Sequence, residues 1–125
     1  MKTSGSAFTE HKSVVLGKAL LKAAEALGLR QANIAEIVGM SESFISRMRT
    51  RECYITPGSK EWELAALFIR LYRGLDAIMA GDEKSTQAWM RNHNKDLNGT
   101  PAELIRRVTG LVDTVAYVDA YRARV

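Results

Sequence analysis

The sequence predicts an all-α protein. Apolar residues recur at helical spacing through most of the chain, and no stretch alternates apolar and polar residues for long enough to indicate a strand. The two prolines, Pro57 and Pro101, fall in a connector and at the start of a helical pattern, so neither interrupts a helix. With 125 residues, of which 46% are hydrophobic, the chain can bury a core as one domain or as two small subdomains.

The N-terminal half begins with residues 1–12, a polar stretch that lacks the apolar run of a signal peptide and is expected to form a flexible tail. Ser13 is suited to cap the helix that follows, and Gly28 supplies the left-handed residue that ends it. Gly39 then separates two shorter helical patterns. The predicted elements are helices at residues 14–27, 31–38 and 41–49 and a connector at residues 50–58.

The longest helical pattern opens the C-terminal half of the chain. It runs from Ser59 to Ala80 with an apolar face at helical spacing, and it ends at Gly81. A shorter helix follows, and two more come after a turn, separated by a break at Thr109-Gly110. The predicted helices are residues 59–80, 83–93, 101–108 and 111–121.

The turn before the last two helices is specified closely by its residues. Asn98-Gly99 is a turn dipeptide. Thr100 then takes the N-cap position of a helix with Pro101 in its first turn, and Glu103 completes a capping box. Such a turn sets the direction of the next helix, so the C-terminal segment is expected to be presented rigidly to whatever it contacts.

Residues 31–48 read QANIAEIVGMSESFISRM and have the pattern of a helix-turn-helix. Gly39 sits at the tight turn, where a positive φ angle costs least for glycine. Ser41 caps the second helix, whose exposed positions are short polar residues and arginines. The inward positions of the two helices are Ile34, Val38, Ile45 and Met48. Residues 41–49 are therefore predicted to be the recognition helix of a DNA reader.

This pattern resembles the Xre/Cro family of helix-turn-helix repressors. The resemblance implies that outward residues near the start of the recognition helix meet base edges in the major groove. Arg47 is the strongest base reader, because a guanidinium can donate two hydrogen bonds to guanine. Gln31, at the start of the preceding helix, resembles the family's phosphate-contact position. The predicted DNA contacts are Gln31, Ser41, Glu42, Ser43, Ser46, Arg47, Arg49 and Arg51.

Some residues of this region have two interpretations. Glu42 either accepts a hydrogen bond from a cytosine amino group or only favours the N-terminus of its own helix. Arg49 and Arg51 either bind phosphates or form a solvated face. Phe44 either touches a thymine methyl or packs within its own domain. The excess of positive charge is nonetheless N-terminal, since residues 1–58 carry eight Lys/Arg and five Asp/Glu, whereas residues 59–125 carry ten and nine.

A second pattern occupies the rest of the chain. Its residues, in order, are Trp89, Asn92, Leu97, Gly99, Thr100, Pro101, Leu104, Ile105, Gly110 and Val115. Behind a Cro-like domain, this order resembles the toxin-binding domain of the Xre/MbcA/ParS antitoxins. The resemblance implies an antitoxin that neutralises a cognate toxin by direct contact and represses its own operon. It also implies a toxin with a RES domain, which is an NAD-consuming enzyme, and an antitoxin that binds operator DNA as a homodimer.

The resemblance divides the chain into a DNA-binding domain at residues 13–80 and a toxin-binding domain at residues 81–125. The exposed C-terminal end is expected to contact the toxin, with residues 121–125 entering or covering the toxin's cofactor cleft. If that cleft is basic, the Val125 carboxylate occupies its anion site. Arg122 and Arg124 either meet acidic groups at the rim of the cleft or only favour the macrodipole of their own helix. The predicted toxin contacts are Tyr117, Tyr121, Arg122, Ala123, Arg124 and Val125. The residues expected to form the core are Trp89, Leu97, Leu104, Ile105 and Val108.

The remaining motifs argue against an enzyme. His11, His93 and Cys53 lack the spacing of metal ligands, and no phosphate loop or catalytic triad is present, so no metal or cofactor is expected. A single cysteine favours the cytoplasm, and the apolar runs are too short for a membrane span. The alternative is a stand-alone dimeric transcriptional repressor whose C-terminal half is only a dimerisation module. A RES-type reading frame beside the gene would discriminate between the two.

Overall fold

Seven helices make up the part of the chain that the computed structural model describes, residues 4–124, with side chains described from residue 10. They are α1 (Ser4–Ala26), α2 (Gln31–Val38), α3 (Glu42–Arg49), α4 (Lys60–Ile78), α5 (Glu83–Arg91), α6 (Pro101–Leu104) and α7 (Val108–Ala123). Over this part of the chain, strand-like pairing is limited to one bridge between Asn94 and Gly99. The predicted all-α fold is confirmed, and the core is built by helix packing.

The long helix α4 lies at the centre of the packing. It contacts α1 and α2 from the N-terminal half and α5 and α7 from the C-terminal half. Phe68 and Leu71 of α4 are fully buried. At Gly74 an added Cβ would lie 2.6 Å from Cγ1 of Val118, so α7 can approach α4 closely because position 74 has no side chain. The two halves of the chain therefore share one core along α4.

The first helix is longer than the sequence predicts. It begins at Ser4 instead of Val14, so residues 4–12 are helical where a loose tail was expected, and residues 1–3 lie outside the described part. Ser13 is inside this helix and does not cap it. Its buried hydroxyl donates a hydrogen bond to the carbonyl of Ile55 at 3.0 Å. The polar side chain thus ties α1 to the connector before α4, a partner that local sequence cannot reveal.

The predicted cap at Ser41 is confirmed, and Ser59, where the longest helical pattern was predicted to begin, also caps its helix. The hydroxyl of Ser41 accepts a hydrogen bond from the backbone N–H of Phe44, and the hydroxyl of Ser59 accepts one from Trp62, each at 3.1 Å. These bonds satisfy backbone donors that the first turn of a helix leaves free. The caps fix where α3 and α4 begin, and so they position the recognition helix and the central helix.

The predicted Asn98-Gly99 turn is also confirmed. Asn98 has a φ of +56°, the left-handed conformation that asparagine tolerates better than most residues. Asn94 and Gly99 exchange two backbone hydrogen bonds, at 2.8 and 3.2 Å. The Asn94 side chain additionally accepts a bond from the backbone N–H of Leu97 at 3.0 Å. The loop between α5 and α6 is therefore closed by its own residues.

The details after this turn differ from the prediction. Thr100 makes no capping hydrogen bond with its side chain, and Glu103 pairs with Arg106, so the expected capping box is absent. The helix break lies at residues 105–107 and not at Thr109-Gly110. Gly110 is inside the first turns of α7, where an added Cβ would lie 1.9 Å from the carbonyl oxygen of Leu104. Position 110 is glycine because the backbone of α6 passes there, not because the chain breaks.

The predicted core residues of this half behave differently from one another. Ile105 is buried, and Trp89, Leu97 and Leu104 are half-buried. Val108 is 58% exposed, so its assignment to the core is wrong. The displaced helix break explains the error, because Val108 starts α7 and is not the last residue of the preceding helix.

Candidate functional site

The helix-turn-helix is built by local residues, as the sequence predicts. Gly39 has a φ of +80°, and its N–H and that of Met40 both donate to the carbonyl of Ala35 at 2.9 Å, which ends α2 sharply. The predicted inward residues are all buried, namely Ile34, Val38, Ile45 and Met48. The outer face of α3 is left to solvent. The packing therefore presents this face as a rigid surface.

Four predicted DNA contacts share the exposed face of α3 and its N-cap. Ser41, Ser43, Ser46 and Arg47 are all exposed. The hydroxyls of Ser41 and Ser43 lie 3.2 Å apart, and Nε of Arg47 donates to the carbonyl of Ser43 at 3.3 Å. Phe44 is half-buried and packs against the core, which favours the interpretation that it belongs to its own domain. The guanidinium of Arg47 thus lies along the face that a major groove would meet.

Gln31 joins two further predicted contacts that are distant in sequence. Its side-chain amide donates to the carbonyl of Glu42 at 3.1 Å, and its side-chain oxygen accepts from Nε of Arg49 at 3.2 Å. One glutamine at the start of α2 therefore contacts both ends of α3. The bond to Gln31 orients Arg49, and in the described part of the chain Arg49 forms no ion pair.

Beyond α3, the structure adds two residues that sequence reasoning missed. Arg49 and Arg51 line a small cleft together with Lys18 of α1 and Tyr54 of the connector. Lys18 lies outside the helix-turn-helix pattern and Tyr54 falls in a connector, so neither carried a sequence signal. The packing of α1 against α3 brings Lys18 to the two arginines.

At the other end of the molecule, the predicted toxin contacts lie around the end of α7. The hydroxyl of Tyr117 donates to a carboxylate oxygen of Asp96 at 2.8 Å, and this bond, which favours the neutral phenol, raises the pKa of Tyr117. Tyr121 is 47% exposed, and with Tyr117 and Trp89 it lines an apolar cleft of about 230 Å³. The other predicted contacts, Arg122, Ala123 and Arg124, are exposed, and Val125 lies outside the described residues.

One further surface of α7 was missed from the sequence. The helix buries Leu111, Val115 and Val118 on one side, yet Val108 is 58% and Val112 46% exposed on the other. Val108, Val112, Ala116 and Ala120 follow one another at helical spacing, and we call them the outer face of α7. A helix that is apolar on all sides is usually buried on all sides. The apolar residues on both sides of α7 were therefore the signal in the sequence for a second surface that a partner could cover.

An ion pair joins the helix-turn-helix to the C-terminal half. The guanidinium of Arg106, between α6 and α7, binds both carboxylate oxygens of Glu36 on α2 at 2.8 and 3.1 Å. It also binds Glu103 at 2.9 Å. The hydrogen bond from Arg106 lowers the pKa of Glu36. The three side chains are exposed to solvent, so the pair orients the two halves more than it stabilises them.

The two histidines and the single cysteine lie apart from one another. His11 is on α1, Cys53 is in the connector before α4, and His93 follows α5. In the described part of the chain, no three His, Cys, Asp or Glu side chains are grouped as metal ligands would be. None of the described helices combines the length and the apolar character that crossing a membrane would require.

Comparison with known families agrees with this division of surfaces. Residues 12–70 match the family described as the antitoxin Xre-like helix-turn-helix domain. Residues 75–124 match the antitoxin Xre/MbcA/ParS C-terminal toxin-binding domain. A comparison with curated proteins gave no significant match. The two matched families follow one another over nearly the whole chain, and the chain therefore belongs to the Xre/MbcA/ParS antitoxins, with an Xre-like helix-turn-helix domain followed by a toxin-binding domain.

Proposed function

We propose that the protein neutralises a cognate RES-type, NAD-consuming toxin by direct binding and represses its own operon through its helix-turn-helix. The observation that carries the proposal is that one fold bears two unlike surfaces, at α3 and at α7. The surface at α3 is polar and basic, as DNA requires, whereas the outer face of α7 is apolar, as a protein partner requires. Co-expression of toxin and antitoxin, read out as cell growth, tests the proposal directly.

In the DNA-binding half, which we propose to be residues 13–80, different residues contact the bases and the phosphates. Ser43, Ser46 and Arg47 face the bases, and Glu42 either accepts from cytosine or serves its own helix. Gln31, Ser41, Arg49 and Arg51 hold phosphates, which sets the position of α3 on the duplex without reading its sequence. A homodimer would place two copies of α3 on successive half-sites, which multiplies affinity and specificity.

Replacing Arg47 by alanine should weaken operator binding by about 1–3 kcal/mol and relax the preference for one base pair, because a two-bond contact to guanine is lost. The measurement is a gel-shift titration with the operator and with single-base variants. Arg91→Ala is the matched control, since it removes an exposed arginine from the other half of the molecule. Unchanged operator binding by Arg47→Ala would show that the outer face of α3 does not read bases in this way.

In the toxin-binding half, which we propose to be residues 81–125, two surfaces act together. The outer face of α7 supplies apolar area for docking. Beyond it, the segment 121–125 enters or covers the cofactor cleft of the toxin. Support for this arrangement comes from Tyr121, which is exposed beside an apolar cleft, and from Arg122 and Arg124 at the exposed end of the helix. An antitoxin of this kind has no catalytic role and acts in the cytoplasm with the toxin.

Deletion of residues 121–125 should leave the toxin bound but active, because docking and active-site blocking lie on different parts of the helix. Growth should therefore be lost on toxin co-expression while the complex still co-purifies. The deletion removes the exposed Tyr121 and the last residues of α7, but it leaves the buried Leu111, Val115 and Val118 in place. Full protection of growth by the shortened protein would exclude blocking by this segment.

The second candidate is a stand-alone dimeric repressor. It is favoured by one observation, namely that the outer face of α7 could equally pack against a second copy. The two functions predict complexes of different composition. Co-purification with a RES-type toxin supports the first, whereas a homodimer that Val112→Glu dissociates, with no toxin bound, supports the second.

A further inference from the structure

The end of the recognition helix has an unusual residue in a left-handed conformation. Arg51 has a φ of +62°. Its N–H donates to the carbonyl of Met48 at 3.1 Å, and the next N–H, of Glu52, donates to Arg47 at 2.9 Å. This pair of bonds is the Schellman closure of a helix, in which the residue at the position of Arg51 is usually glycine. A residue with a Cβ at this position makes the folded chain less stable than glycine would. We therefore expect the side chain of Arg51 to have a role other than stability.

The cleft beside Arg51 contains three cations and no acidic residue. It lies between α1 and the end of α3, has a volume of about 120 Å³, and is lined by Lys18, Arg49, Arg51 and Tyr54. In the described part of the chain, Lys18 and Arg51 make neither an ion pair nor a side-chain hydrogen bond, and Arg49 bonds only to the uncharged side chain of Gln31. Like charges that converge without a counter-charge repel one another, and a bound anion would relieve this.

The size and walls of the cleft restrict the anion. A cleft of about 120 Å³ that is open to solvent suits a small anion such as one phosphate group. Leu21 and Met48 form apolar walls, which strengthen attraction between the cations and an anion. Arginine forms paired bonds with phosphate oxygens, and a tyrosine hydroxyl is a further donor.

We propose that this cleft binds one backbone phosphate of duplex DNA, and that Lys18 and Tyr54 hold it together with Arg49 and Arg51. The inference rests on the proposed DNA-binding function and extends the contact to α1. A phosphate held at the C-terminal end of α3 fixes how that helix sits on the duplex while its N-terminal part meets the bases. The left-handed backbone at position 51 carries an arginine that lines this cleft, and a phosphate contact would account for a side chain at a position that favours glycine.

Arg51→Gly separates binding from folding, because it removes the guanidinium and supplies the residue that the backbone prefers. We expect a higher melting temperature, several-fold weaker binding to operator and to unrelated duplex alike, and a slope of log affinity against log salt that is smaller by about 0.9. Lys18→Gln should give the same change in slope without the gain in melting temperature, since Lys18 lies in an ordinary helix.

Ala80→Gly is the matched control. Ala80 also has a positive φ, +52°, but it follows α4 and is not among the residues of the cleft. It should raise the melting temperature and leave DNA binding unchanged. If Arg51→Gly and Lys18→Gln keep the salt slope of the wild type, the phosphate site is overturned, together with the phosphate contact proposed for Arg51. Operator binding through α3 and neutralisation of the toxin would still stand. If the wild type itself binds no DNA, the proposed function fails and the inference fails with it.

Inorganic phosphate distinguishes a DNA site from a free-anion site. At matched ionic strength, duplex DNA should stabilise the wild type over Lys18→Gln by a larger margin than inorganic phosphate does. A selective shift by inorganic phosphate, with equal salt slopes for DNA, would overturn the assignment to the DNA backbone.

Discussion

Replacing Gly110 by alanine should destabilise the C-terminal half by about 3 kcal/mol or more, because overpacking against atoms that cannot move away is costly. An added Cβ would lie 1.9 Å from the carbonyl oxygen of Leu104 and 2.7 Å from its carbon. These are backbone atoms, so no change of rotamer relieves the clash. The connection between α6 and α7 would have to open, and the buried Ile105 and Leu111 beside it would lose their packing.

Thermal unfolding measures this effect, and a fall in melting temperature of more than about 10 °C is expected for a chain of this size. Gly17→Ala is the control, because its Cβ would meet only the flexible side chain of Met48, at 3.4 Å, and alanine favours a helix. A melting temperature for Gly110→Ala equal to that of the wild type would contradict this close approach. It would favour a helix break at Thr109-Gly110, as the sequence predicts, over one at residues 105–107.

Replacing Val112 by glutamate should weaken toxin binding at least about a hundredfold, because docking would bury a charge that has no partner. Val112 is 46% exposed on the outer face of α7, so the free protein can keep the carboxylate in water. The variant should therefore fold normally and keep its affinity for DNA. The loss should appear both in binding to the purified toxin and in growth under co-expression.

Val15→Glu is the matched control for this prediction. Val15 is 52% exposed on α1, in the other half of the molecule, so the same change of chemistry is made at similar exposure. It should bind toxin as the wild type does. If Val112→Glu also binds toxin normally, the outer face of α7 is not the docking surface, and the segment 121–125 must provide the affinity as well as the blocking.

The recognition helix could be predicted from the sequence because its determinants are local. Gly39 sets the turn through its own φ, and Ser41 caps α3 through an N–H only three residues away. The Asn98-Gly99 turn was predictable for the same reason, since its bonds close within residues 94–99. These features depend on backbone conformations and short-range hydrogen bonds that the residue types themselves favour.

Where a residue contacts a partner that is distant in the sequence, the prediction of its role was incomplete or wrong. Ser13 resembled a helix cap, but its hydroxyl binds Ile55. Glu103 resembled half of a capping box, but it binds Arg106, whose guanidinium also binds Glu36, 70 residues away in the sequence. Gly110 resembled a helix break, but the backbone of α6 requires the absence of its side chain. In each case a tertiary contact competes with the local preference and prevails.

The sequence by itself determined the helical class, the helix-turn-helix and the order of the two family patterns, because each is encoded in spacing along one element or one turn. Only the tertiary structure decided that α4 packs against both halves, that Val108 and Val112 face solvent, and that Lys18 and Arg51 line one cleft. Periodicity shows which residues of a helix are apolar, but not which side its neighbours will cover. That choice depends on how close two helices can approach, and here it is set where α4 meets α7 at Gly74.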